Sequence, residues 1–307
     1  MILNKKNKID KKILKTFPKE VIENIKSDVV DYFGVNINSN AKDNFFFKIY
    51  YDYELSMKKY EEYNSDSLIN YLINQDMLGG LQTVYDDNNN EFARCEIGLN
   101  CLTKAEYENL FKILSKNISF FDKYKNEILK ISKMKCGDPN RTSSLYFIGF
   151  KKQDSEIKTF KCHWFNEFIE IEKNKPVRKN SYYLNFLAKR NIPEFNELIP
   201  YAKSALKNCQ GRLIMEGIDY NQKTSEKHKI YIGCYKKSPV YDGLIKTFQE
   251  HKEIVNKINA IREWNNIHTE FCCAIFAIGK DKKNNLTLNL YFEVFSISDI
   301  RSIGYKL

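Results

Sequence analysis

Lys227 to Tyr235 reads K-H-K-I-Y-I-G-C-Y, and its alternation decides the fold. In an extended chain successive side chains point to opposite faces. Lys227, Lys229, Tyr231 and Tyr235 then share one face, while His228, Ile230, Ile232 and Cys234 share the other. The second face is what a sheet packed under helices needs. The first is a row of cations and phenols with nothing apolar in it. On one strand alone a solvated outer face would explain that row. A polar-lined cavity holding an anion explains it better where the pattern recurs, and it does recur.

Before this stretch, Arg212 to Tyr220 and a polar turn complete a β-hairpin, and four more hairpins follow the same rule. Val35 and Ile37 alternate with Asn36 and Asn38 ahead of a strand from Phe45 to Glu54, where Lys48, Tyr50 and Asp52 oppose Phe45, Phe47, Ile49 and Tyr51. Leu81 to Tyr85 and Phe92 to Asn100 flank the turn Asp86-Asp87-Asn88-Asn89-Asn90; Arg94 and Glu96 oppose Ala93, Cys95, Ile97 and Leu99. Ser144 to Lys152 and Lys158 to Phe165 set Thr159, Lys161 and His163 against Phe160, Cys162 and Trp164. Phe271 to Lys280 and Leu286 to Phe295 set Thr287, Asn289, Tyr291 and Glu293 against Leu288, Leu290, Phe292 and Val294.

Between the hairpins the period changes to that of helices. Pro18 opens a run through Val21, Ile22, Ile25 and Val29. A helical region covers Ser56 to Asn74 and ends at Gly79-Gly80. Thr103 with Glu106 forms a capping-box signature for one long helix to about Ile131. The charged segment Glu170 to Ser181 reads as a loop, followed by a helix interrupted near Pro193 and Pro200 and closed by Gly211. Leu244 to Ile258 marks another long helix. Hairpins thus repeat at spacings of roughly 45 to 65 residues. Helices can cover only one face of such a sheet. Ten antiparallel strands closed on themselves place the other face in a wide, wet lumen and leave no open edge. The expectation is one α+β domain over residues 1–307, a ten-stranded barrel of five hairpins with helices outside.

The hydrophobic fraction of 43%, with 20 Tyr and 21 Phe, supplies a large core and argues against disorder. A net charge of +10 points to an anionic partner: nucleic acid, a membrane surface or a phosphorylated small molecule. The eight cysteines form no C-x-x-C pair, and several lie on apolar strand faces, which fits free thiols in a reducing cytoplasm. With no signal-peptide pattern and no long apolar span, a cytoplasmic protein without membrane insertion is expected.

Ten strands as five hairpins around a polar lumen resemble the aromatic prenyltransferases of the α-β-β-α barrel type. G-I-D-Y at 217–220 and K-H-K-I-Y at 227–231 look like the family motif in which two cations and a tyrosine alternate along one strand. The length and the Met1-Ile2-Leu3-Asn4 start look most like the cyanobactin-type peptide prenyltransferases. The resemblance implies transfer of a dimethylallyl or longer group from an allylic diphosphate to an electron-rich side chain of a ribosomal or cyclic peptide, or to a small aromatic molecule. With so highly charged a leaving group, Mg2+ accompanying the diphosphate is expected. The chemistry fits the residues. Ionising the donor creates pyrophosphate, which needs aimed cations, and a carbocation, which needs aromatic faces and exclusion of water. Lys48, Arg94, Lys161, Lys227 and Lys229 would meet the diphosphate, with Asn289 at the matching position of the fifth hairpin. Tyr50, His163, Tyr231 and Tyr291, each two residues along, would shield the cation.

The family's acidic base is expected on an early strand, where Asn36 and Asn38 stand instead. Glu96 is the substitute because it shares a face with Arg94, although a plain Arg-Glu contact would explain it equally; Glu216 and Glu293 are weaker choices. The Asp86–Asn90 run is turn chemistry ahead of a metal motif. His163, His228, His251 and His268 lack metal spacing, and His228 reads as a packed histidine facing helices. Cys272-Cys273, Trp164 and Trp264 read as core, and no phosphate-binding glycine loop occurs. The rival from another class is a single-stranded nucleic-acid binder, which would use the basic loop Lys173, Lys175, Arg178 and Lys179 and interleaved aromatics.

Overall fold

In a computed structural model the protein is described over residues 30–38, 46–51, 70–71, 74, 78–86, 94–99, 103–134, 145–153, 156–166, 169–172, 175–178, 180–190, 192–223, 225–234, 239–266, 271–280 and 284–294. Strands form wherever the period-two pattern runs. They are β1 (Val30–Asn38), β2 (Phe46–Tyr51), β3 (Leu78–Asp86), β4 (Arg94–Leu99), β5 (Leu145–Gln153), β6 (Glu156–Phe165), β7 (Ile169–Glu172), β8 (Lys175–Arg178), β9 (Arg212–Asn221), β10 (Ser225–Gly233), β11 (Phe271–Lys280) and β12 (Leu286–Val294). The helices are α1 (Lys104–Asn117), α2 (Phe121–Met134), α3 (Asn180–Lys189), α4 (Pro193–Asn208), α5 (Val240–Thr247) and α6 (Lys252–Asn265).

Every pairing is antiparallel, as the α+β reading expects. The strand order β1-β12-β11-β10-β9-β6-β5-β4-β3-β2 closes on itself, because β1 pairs with both β12 and β2. β7 and β8 form a separate two-stranded sheet.

The apolar face looks out to the helices. Phe160, Cys162 and Trp164 on β6, Ile218 and Tyr220 on β9, and Ile230 and Ile232 on β10 are buried there. Phe121 of α2 meets Phe160 edge-on at 5.5 Å, and Tyr124 lies 4.7 Å from Tyr220. The Trp164 indole donates to Ser132 Oγ at 2.9 Å, so its one polar atom is satisfied in the core. On the far side Phe195 of α4 packs edge-on against His228 at 5.0 Å. Burying each such side chain contributes about 1.5–3 kcal/mol. The opposite face is enclosed too: Lys161 is 2% exposed and Lys229 is 5% exposed, which a solvated surface would not allow.

Several element readings change. Glu170–Ser181 is a β-hairpin and helix start, with Glu170 opposite Val177 and Glu172 opposite Lys175. The expected helix from Thr103 to Ile131 is two, broken where Ile118 takes extended angles (φ −124°, ψ 101°). The capping box is present: Glu106 N donates to Thr103 Oγ1 at 3.3 Å, and Thr103 N donates to Glu106 Oε2 at 2.5 Å. The Leu244–Ile258 helix is likewise split into α5 and α6. Gly79 and Gly80 lie inside β3 rather than ending a helix, and Gly80 pairs with Gly98. Pro193 starts α4, while Pro200 rides inside it without breaking it. The left-handed residue closing α4 is Gln210 (φ 51°), and Gly211 N donates back to Leu206 O at 3.2 Å.

The first expected helix and the turn residues 87–90 lie outside the described residues, as does the second helix except at Asn70, Tyr71 and Asn74, which are helical. Among the described residues no helix is long and apolar enough to cross a membrane. Cys162, Cys209, Cys234 and Cys273 carry free thiols, and burial pushes those of Cys209 and Cys234 up to about 12, which keeps them protonated.

Candidate functional site

Cross-strand partners share a face, so the register identifies the inward residues. One row runs Glu96, Gly149, Lys161, Asp219, Lys227 across β4, β5, β6, β9 and β10. The next runs Phe147, His163, Gly217, Lys229, Gly279, Thr287, Asn38. A third runs Met215, Tyr231, Ala277, Asn289, Asn36. Gly34 joins Tyr291 to Lys48, and Val84 joins Tyr50 to Arg94. The register therefore brings Lys48, Tyr50, Arg94, Glu96, Lys161, His163, Lys227, Lys229, Tyr231, Asn289 and Tyr291 onto one face. For Lys48, Tyr50, Arg94 and Glu96 the description stops at that strand position.

The rows are ordered along the strands. Lys161, Asp219 and Lys227 lie toward the hairpin turns, whereas Tyr231 and Tyr291 lie toward the ends from which the helices depart. Lys161 Nζ stands 3.9 Å from Asp219 Oδ2, both deeply buried. His163 Nε2 is 3.1 Å from the Tyr231 hydroxyl, and the two rings meet edge-to-face with centroids 5.4 Å apart. Tyr231 in turn lies 6.0 Å from Tyr291, and Phe147 meets His163 edge-on at 6.4 Å. Lys227 and Tyr291 are half-buried, Asn289 buried.

Two glycines make room for these side chains. A Cβ on Gly217 would sit 2.5 Å from His163 Cδ2 and 3.2 Å from Tyr231 Cε2. One on Gly279 would sit 2.8 Å from Lys229 Cγ. The large polar residues thus lie flat across the small residues of neighbouring strands.

Asp219 belongs to this face and the sequence reading passed over it. Its signal was available: in R-L-I-M-E-G-I-D-Y, Met215, Gly217 and Asp219 alternate against Ile218 and Tyr220. Attention to the second strand of each hairpin hid it in a first strand. Glu216 is corrected in the other direction. It faces outward, fully buried, with Oε1 accepting from Arg190 Nη1 at 2.6 Å, so it cannot serve as an acid in the enclosure. Glu293 pairs with Tyr32 at the edge of the inner face. His228 is the packed histidine expected, and burial holds it below the usual imidazole range. His251 Nε2 is 2.8 Å from the Tyr201 hydroxyl. Among the described residues no three His, Cys, Asp or Glu converge as a metal site.

Chemically, such a face can neutralise a polyanion through buried ammonium groups and present phenol faces to a cation beside it. No protein-family model matches the chain, and no curated protein does. Solved structures do match. The 6-dimethylallyltryptophan synthase of Micromonospora olivasterospora, in complex with DMASPP and Trp, has a TM-score of 0.55 at 11% identity, covering 88% of this chain and 84% of that one. The 5-dimethylallyl tryptophan synthase of Streptomyces coelicolor has a TM-score of 0.54 at 9% identity, covering 86% and 78%. NotF in complex with brevianamide F and DMSPP has a TM-score of 0.56 at 10% identity, covering 88% and 81%. At these identities the likeness is one of architecture, and it establishes that the chain has the fold of the dimethylallyltryptophan synthases and of NotF prenyltransferase.

Proposed function

We propose that the protein is a prenyltransferase that moves a dimethylallyl or longer group from an allylic diphosphate to an aromatic, electron-rich acceptor held in the barrel. The observation that carries this reading is the pair of nearly unexposed lysines, Lys161 and Lys229, on the same enclosed face as His163, Tyr231 and Tyr291. Taking two ammonium groups out of water on one enclosed face is costly, and a polyanion bound there would offset that cost, as Asp219, 3.9 Å from Lys161, already does in part. A diphosphate supplies the negative charge. Its departure leaves an allyl cation, which the phenol faces of Tyr231 and Tyr291 stabilise while the closed wall excludes water.

In this reading Lys48, Arg94, Lys161, Lys227, Lys229 and Asn289 hold the diphosphate, and Tyr50, His163, Tyr231 and Tyr291 surround the cation. The acceptor we favour is an aromatic side chain of a ribosomal or cyclic peptide. The resemblance to the peptide-modifying subgroup supports that choice, with a small aromatic molecule second. The inner donor set is mostly lysine, which repels a divalent cation. Mg2+ would therefore be held by the diphosphate oxygens rather than by a cage of side chains.

The test is mass spectrometry after incubation with dimethylallyl or geranyl diphosphate and a panel of short Trp- and Tyr-containing peptides and small aromatics. Prenyl adducts on an aromatic group are expected. Absence of any adduct, together with tight oligonucleotide binding that falls steeply with salt, would replace this reading with the nucleic-acid one.

A further inference from the structure

We propose that His163 receives, by way of the Tyr231 hydroxyl, the proton that the acceptor loses on alkylation; this rests on the prenyl-transfer reading above. In that reaction the allylic C–O bond breaks and its electron pair leaves with pyrophosphate. The acceptor's electron pair forms the new bond to carbon, which leaves the acceptor positively charged. Neutrality returns when its X–H bond gives the pair back and the proton departs. A group at the level of the reacting ring must take that proton.

Of the acids, Glu293 lies beyond Tyr291, at the edge of the inner face opposite Tyr32, and the others are poorly placed for it. Glu216 is on the outer face, bound to Arg190. Asp219 is on the inner face, but toward the hairpin turns and 3.9 Å from Lys161, where the diphosphate charge is met. Glu96 occupies the same row. Tyr231 and Tyr291 lie farther along their strands, and His163, in the row of Lys229, reaches the Tyr231 hydroxyl at 3.1 Å. On three strands the residue two beyond the diphosphate position is tyrosine: Tyr50 after Lys48, Tyr231 after Lys229, Tyr291 after Asn289. On β6 it is His163 after Lys161, a base where the other strands carry phenols.

The surroundings of His163 are built for contact with Tyr231. Gly217, between them on β9, leaves the gap that the imidazole crosses. The ring meets Tyr231 at 90° with Nε2 3.1 Å from the hydroxyl, and Phe147 fixes its other side. With Nε2 unprotonated, the Tyr231 O–H donates to it. The phenol oxygen then accepts the acceptor's proton as its own passes to Nε2, so one proton moves in total and Tyr231 ends unchanged. The imidazolium forms in the turnover that produces pyrophosphate, and it returns its proton to water once product leaves. Among the described residues, the charged and titratable groups that share the inner face with this pair include Lys48 and Tyr50 on β2, Arg94 and Glu96 on β4, Lys161 on β6, Asp219 on β9, Lys227 and Lys229 on β10, and Tyr291 on β12.

The experiment uses the full chain, dimethylallyl diphosphate and a cyclic hexapeptide carrying one Trp and one Tyr, with adduct and pyrophosphate measured separately. For the parent, adduct formation should rise with pH as the imidazole loses its proton. His163→Gln should lose roughly a hundredfold or more in adduct formation and lose that rise with pH. Tyr231→Phe, which removes only the hydroxyl, should do the same and carries the test if His163→Gln does not fold. A His163→Gln protein that keeps the parent's rate and pH rise overturns this inference alone. A parent that neither forms adduct nor releases pyrophosphate overturns the prenyl-transfer reading and this inference with it.

Discussion

Lys229 and His228 are adjacent in sequence and belong to different environments, which makes them a matched pair of probes. Lys229 lies 5% exposed in the enclosure with its stem laid over Gly279. Lys229→Met keeps the stem and removes the charge. Because an aimed cation at a developing anion is worth about 2.7–4 kcal/mol, turnover should fall roughly a hundredfold or more while thermal unfolding stays near the parent. Near-parent turnover from a folded Lys229→Met protein would place the diphosphate elsewhere. His228 points the other way, onto Phe195, and burial, the largest cause, holds its pKa below the ordinary value. The unfolded chain therefore takes up this proton at a higher pH than the folded one. The stabilisation from neutral His228 is present above about pH 6.5 and is lost as pH falls through and below that value. Urea midpoints for His228→Gln should accordingly fall less than the parent's between neutral and mildly acidic pH. Both residues were legible from alternation alone. Asp219 and the His163–Tyr231 contact were harder to read. A two-residue period gives the face but not which residue of the next strand lies opposite, and that register set the 3.1 Å approach.

Among the elements, α3 is tied to the barrel by Leu213 N donating to Asn180 Oδ1 at 2.8 Å, by the Tyr183 hydroxyl donating to Trp164 O at 3.4 Å, and by an ion pair in an apolar setting. Arg190, just past its end, binds Glu216 of β9 at 2.6 Å and lies over Phe186 and Phe195 at 5.9 and 5.3 Å. Arg190→Met would take the arginine's charge from beside the buried Glu216 carboxylate, at a cost of about 3–5 kcal/mol. Calorimetry should show a large fall in Tm, substantially recovered in the double variant Arg190→Met with Glu216→Leu; no recovery would mean that the arginine matters for packing alone. Helix and strand identity was readable wherever a period ran long. Boundaries failed where the signal continued through them. Ile118, Phe120 and Phe121 are all buried, so apolar periodicity crosses the break between α1 and α2. Phe248 and His251, both in contact with Tyr201, carry it across the gap between α5 and α6 in the same way. Four-residue strands such as I-E-I-E and K-P-V-R are too short for a period to stand out from charge, so β7 and β8 passed for a loop.

At the scale of the molecule, the positive charge that composition could only assign to some anion is partly sorted by topology: Lys161 and Lys229 are inside, away from any macromolecular surface. Sequence showed that hairpins recur, but not that β6 would neighbour β9 across the β7–β8 insertion and two helices. The pairing of β1 with β12, from Tyr32 opposite Glu293 to Asn38 opposite Thr287, has a further consequence. A ring of strands has no first member; only the chain has one, and β1–β12 is its seam. Joining that seam requires closing a loop of nearly the whole polypeptide, so its contacts should form late in folding. The seam can be moved. A circular permutant with its old ends linked and new ends cut within residues 281–285 turns β12–β1 into a local neighbour and makes β11–β12 the distant pair. It should reach the same fold, and pulsed hydrogen exchange during refolding should show late protection shifting from β1 to β11. If β1 still closes last in the permutant, the order of assembly is written in local sequence rather than in where the ring is cut.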